Sequence, residues 1–91
     1  MSDEYQKAQQ VLSSLKQAEA AEAQTALPIL NGLAGLIQSA GGDQSIELDE
    51  SRASAFLAIC EVGKALHRGQ PADPLWTKAI DATERWKLFA K

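Results

Sequence analysis

Residues 23–42 read AQTALPILNGLAGLIQSAGG, a window without a single Asp, Glu, Lys or Arg. In a chain that is 23% charged, such a gap marks the interior or a surface that something else covers. Its apolar residues Ile29, Leu30, Leu33, Leu36, Ile37 and Ala40 recur at three- and four-residue steps, the period of a helix face rather than a strand. Gly41-Gly42 should end that helix, because glycine takes the left-handed cap geometry without strain. The apolar centre, Leu27 to Ile37, is about half of the ~20 residues a membrane span needs, and Pro28, Asn31 and two glycines interrupt it.

The same period extends to both sides of the window. Upstream, Tyr5, Ala8, Leu12 and Leu15, with Val11 beside them, form a stripe that fades into the alanines of QAEAAEAQ. That stretch is helical by propensity but has little to bury. A first helix is therefore expected over residues 3–24. Thr25 is the expected N-cap of the second helix, which places Pro28 in its first turn; a kinked continuation of the first helix is the alternative. Downstream, DQSIELDE reads as a loop. A third helix should start near Asp49 or Ser51 and run to His67 or Arg68, with Phe56, Ile59, Cys60, Gly63 and Leu66 facing inward and Gly69 closing it. GQPADPLW is the clearest boundary: Gly69 stops one helix, Asp73 caps the next, and Pro74 takes its first position. The fourth helix then buries Leu75, Ala79, Ala82, Trp86 and Phe89, with Trp76 and Ile80 alongside.

These spacings predict an all-α fold: a compact antiparallel bundle of about four helices, near residues 3–24, 26–40, 50–68 and 74–89. The 91 residues suffice for one domain spanning residues 1–91, and a dimer of such domains is an open option. Composition agrees, since the 45% hydrophobic content is mostly Ala and Leu, both strong helix formers. Net charge is −3, which argues against nucleic acid as the first partner to consider. The charge is uneven. Residues 1–49 hold seven acids against two lysines, residues 50–91 five acids against seven cations. Opposite halves can attract on folding or in a dimer. The lone Cys60 allows no internal disulfide, and the polar start MSDEYQKAQQ is unlike a signal peptide. Both fit a cytoplasmic protein without a membrane segment.

No reactive constellation emerges. Metal centres need three or four convergent ligands, and the chain has one His and one Cys. Cys60 and His67 sit about 10 Å apart along one helix at 1.5 Å per residue, too far for a nucleophile pair. Cys60 reads as a small core residue and His67 as a complement to a helix C-terminus. Glu19 and Glu22 read as a solvated face, and Asp49 and Glu50 as helix-start charges. Gly41-Gly42-Asp43 follows a helix and lacks the Gly-Lys-Ser/Thr of a phosphate loop. No catalytic residue, cofactor or metal is expected, and the chain reads as a non-enzyme.

Two surfaces remain. The back of the second helix carries Asn31, Ala34, Gly35 and Gln38, with Gly32 and Ser39 at the edges, where an exposed helix ordinarily carries Glu and Lys. Each of its glycines costs about 1 kcal/mol of helix propensity against Ala. Either the helix is sandwiched inside the monomer, or its back meets a protein partner or a second copy. Trp76 is a further candidate anchor, since aromatics are favoured at interface centres. The reading is a small helical interaction module of the adaptor, chaperone-like or inhibitor kind, acting on a protein partner or on itself. The alternative is a nucleic-acid-associated regulator. It would use Lys78, Arg85, Lys87 and Lys91, interleaved with Trp76, Trp86 and Phe89 as a stacking and phosphate surface.

Overall fold

The computed structural model describes residues 3–40 and 46–90. It contains four α-helices: α1 (Asp3–Glu19), α2 (Ala23–Ser39), α3 (Ile46–His67) and α4 (Asp73–Ala90). The expected all-α four-helix bundle is therefore what the chain forms. The contacts close a ring, α1 on α2, α2 on α3, α3 on α4 and α4 on α1, with no packing across the diagonals among the described residues. The short connections at residues 20–22 and 68–72 leave no room for a crossover, so helices joined by them run antiparallel. The result is a rod of 38 × 17 × 17 Å.

The long first helix expected over residues 3–24 is instead two elements. α1 ends at Glu19, and the Ala21 N–H donates to the Ala18 carbonyl in a turn. Glu22 is extended (φ −70°, ψ 157°), and its carbonyl accepts from the N–H groups of Thr25 and Ala26. Glu22, not Thr25, is thus the N-cap, with no side-chain capping bond. Burial outweighs propensity here. Turning the chain lets Ala18 and Ala26 both bury completely, whereas a straight helix would carry α2 away from α1. Pro28 consequently falls in the second turn of α2 rather than the first, and the helix continues through it. The bond it cannot donate would go to Gln24, and both residues lie on the exposed side where water serves the carbonyl. The helix ends at Ser39, and Ala40 is extended with its N–H donating to the Leu36 and Ile37 carbonyls. The expected Gly41-Gly42 stop lies outside the described residues.

α3 begins at Ile46, a turn earlier than the expected starts at Asp49 or Ser51. The added turn brings Leu48 into the core, and Ser51, buried within the helix, donates its hydroxyl back to the Leu48 carbonyl at 2.9 Å. The buried seam is Leu48, Ser51, Ala55, Ala58, Ile59, Val62 and Ala65. This is a rotation from the expected face. Ile59 is on it, Phe56 and Leu66 pack at its margin, and Cys60 and Gly63 are only half-buried. Alanines at the seam let the neighbouring helix approach, and that space is taken by tryptophan. Gly69 closes α3 as expected. With φ 68° it donates to the Leu66 carbonyl while the Gln70 N–H reaches Ala65, the paired bonds of a Schellman cap.

α4 starts at Asp73, with the Ala72 carbonyl accepting from the Trp76 N–H, so the cap lies one residue before the expected Asp73. Its seam is Trp76, Ala79, Thr83, Trp86 and Ala90. The expected stripe is rotated here too. Leu75 and Ala82 are half-buried, and Phe89 is 50% exposed. Thr83 can occupy the core because its hydroxyl donates to the Ala79 carbonyl at 2.8 Å, which removes the cost of burying it bare. Trp86, Val11, Leu15, Ile59 and Val62 are among the fully buried side chains of the core. Burial of each such aliphatic side chain contributes about 1.5–3 kcal/mol.

Candidate protein-interaction surface

The uncharged back of α2 is on the outside. Asn31, Gly35 and Gln38 are exposed and Ala34 is half-buried, so the helix is not sandwiched within the monomer. The ring of helices explains why: among the described residues α2 packs on α1 and α3 alone, and its far side meets no other helix. A Cβ built on Gly32 or Gly35 would have no neighbour within 4 Å. No internal packing therefore requires either glycine, and the α2 backbone can be approached closely from outside.

Beside this face runs a furrow between α2 and α3. One hollow of about 510 Å³ lies between the first half of α2 and the end of α3. Leu27, Leu30 and Ile59 give it an apolar floor, and Asn31 and Ala34 form its α2 wall. Cys60 and Gly63 lie on its α3 side, with Lys64, His67 and Arg68 along the rim. Neither Lys64 nor Arg68 makes an ion pair among the described residues. A second hollow of about 330 Å³ continues the furrow at the other end, between Gln38 on α2 and Ala53 and Phe56 on α3. Asn31, Ala34 and Gln38 are thereby brought to one furrow, with Gly35 standing outward between its two hollows.

Trp76 does not belong to this surface. It is 6% exposed, sits in the core, and is carried by α4, which makes no contact with α2. Of the aromatics expected to form a stacking surface on α4, Trp76 and Trp86 are buried, while Phe89 is 50% exposed and borders a hollow with Arg85. Trp86 is fully buried, and Asp81 and Glu84 stand exposed beside Lys78 and Arg85. Lys87 is half-buried, and Lys91 lies outside the described residues.

Three features were not read from the sequence. The first is the α3 wall, because Cys60 and Gly63 were assigned to the core face; the unexplained glycine inside a helix was the available signal. The second is that His67 and Cys60 border the same hollow. The third is a buried polar junction. Glu4 Oε2 accepts 2.8 Å hydrogen bonds from both Arg52 Nη1 and Trp86 Nε1, joining α1, α3 and α4. The Glu4 side chain is 9% exposed, and Arg52 also pairs with Asp49. The signal for it was the seam of α1: steps back from Leu15 through Val11 and Ala8 arrive at Glu4. No buried side-chain nitrogen or oxygen among the described residues lacks a partner.

Fold and surface together define a ring-packed four-helix bundle with an open, uncharged furrow on one side. Comparison of the chain with models of protein families, with curated proteins and with solved structures finds no match. No helix among the described residues is long and apolar enough to cross a membrane.

Proposed function

We propose that this protein is a non-enzymatic interaction module that works by covering part of a protein partner through the outer face of α2 and the α2–α3 furrow. The observation that carries the reading is the exposure of Asn31, Gly35 and Gln38 without a charge among them, over glycines that no internal contact requires. A solvated helix back is ordinarily charged, and a surface lacking charge is what the centre of an interface looks like before its partner arrives. The cations Lys64 and Arg68 on the rim next to an apolar floor suit a partner helix with apolar residues and a carboxylate at its edge.

A photo-crosslinking amino acid placed at Gly35, and as a control at the exposed Thr77 of α4, tests this in cells that make the protein. The position-35 form should trap a discrete protein that the position-77 form does not. Introducing Gly35→Arg or Gln38→Glu beside a probe at Asn31 should abolish trapping while circular dichroism remains helical. Equal trapping from both faces, or loss of helicity in both variants, would sink the proposal.

A further inference from the structure

The outer face of α3 carries a pattern that extends beyond the furrow, sharing with it Ala53 and the rim residues Lys64 and Arg68. Ile46, Glu50, Ala53, Leu57, Lys64 and Arg68 follow one another at three-, four- and seven-residue steps, so they share one line along the helix. All six are exposed, as is Glu61, which stands on the same line between Leu57 and Lys64, and the line holds two of the largest apolar exposures among the described residues, Ile46 at 73% and Leu57 at 62%. Charge is polarised along it. Glu47, Asp49 and Glu50 stand at the start of α3, and Lys64, His67 and Arg68 at its end. Those signs complement the helix dipole, which explains their order, but not why Leu57 is left in water between them and Ile46 at the acidic end.

A second copy of the same helix accounts for both. We propose that the protein forms a two-fold symmetric dimer in which the α3 helices of two copies pack antiparallel along this line. An isologous contact must be complementary to itself, and a helix acidic at one end, basic at the other and apolar at its centre has that property when reversed. A two-fold axis beside Leu57 sets the two leucines against each other. It brings Glu50 of each copy opposite Lys64 of the other. Ile46 then lies along the aliphatic stem of the second copy's Arg68. Each charge pair occurs twice because of the symmetry. No other exposed line in the described chain has this self-complementarity. α1 offers mainly Gln and Ser outward, and α4 intersperses Lys78, Asp81, Glu84 and Arg85. This deepens the reading of an interaction module and does not depend on the α2 face.

The test uses charge exchange on the full chain, with mass measured by light scattering and sedimentation across a concentration series. The unaltered protein should show twice the monomer mass, and added salt should raise its dissociation constant. Glu50→Lys alone and Lys64→Glu alone should each raise that constant about a hundredfold, since two like-charge pairs then face each other. Equimolar mixing of those two variants should restore the dimer as a heterodimer, because every facing pair is again opposite. The double variant Glu50→Lys/Lys64→Glu should dimerise alone. Leu57→Arg, at an exposed position that folding does not need, should give monomer with unchanged helicity. A monomeric unaltered protein at its highest soluble concentration overturns the proposal. So does a dimer indifferent to Leu57→Arg, or a mixture that fails to recombine. Partner trapping at position 35 can succeed or fail independently, which separates this result from the fate of the α2 surface.

Discussion

One carboxylate oxygen holds three helices together. Glu4 accepts from Arg52 and Trp86 at 2.8 Å each in a site almost closed to water. Such a junction contributes little net energy when complete, because ion desolvation offsets the attraction, but it is costly to break. Glu4→Ala would leave the fully buried Trp86 N–H without an acceptor and Arg52 without its buried partner. The expected loss is about 2–4 kcal/mol of unfolding free energy, measured by urea denaturation. Glu4→Gln keeps an acceptor oxygen and should lose about half as much. Sequence reading gave Glu4 no role beyond its charge. Its partners lie 48 and 82 residues away, a separation no local pattern encodes.

At the scale of the element, the helices themselves were legible and their rotations were not. Three- and four-residue spacing identified α2 and the end of α3, and Gly69 terminates its helix by the bonds expected of it. The faces of α3 and α4 were misjudged by a fraction of a turn for a shared reason. Periodicity weighs Phe, Leu and Ile heavily, whereas the seams here are built from Ala, Ser and Thr opposite tryptophan. The same bias hid Gly63 in the assumed core. The turn at residues 20–22 was missed because no glycine, proline or side-chain cap marks it. Glycines on the outside of helices make a clean test of what they are for. Gly32→Ala, Gly35→Ala and Gly63→Ala should each stabilise the protein by about 0.5–1 kcal/mol in denaturant titration, since an added methyl group meets nothing. A loss of stability at any of them would mean that the position is packed after all. Stabilisation would show that the fold tolerates alanine where the chain keeps glycine.

The whole molecule is a ring of helices around a thin core, and no helix has more than two neighbours. Removing any one element would leave the adjacent two open along their length, so partial structures have little to hold them. Unfolding should therefore be cooperative. Both tryptophans belong to α4, and far-ultraviolet circular dichroism reports all four helices. The two signals should follow a single transition with one midpoint in urea, and separated midpoints would show α4 detaching by itself. The bundle class followed from composition and spacing together. The partner-facing surface was legible only in part. Asn31, Ala34, Gly35 and Gln38 stood out by the charge they lack, but the α3 wall that completes the furrow became visible only once two helices were set side by side.

Arg52 has a place in two of these descriptions. It borders the hollow near Gln38, and it grips the oxygen that the indole of Trp86 also holds. A molecule settling in that hollow against Arg52 would alter the field felt by the buried indole of Trp86. With Trp76 replaced by Phe, the emission of Trp86 should therefore report occupancy of the furrow through a single carboxylate, without an added label.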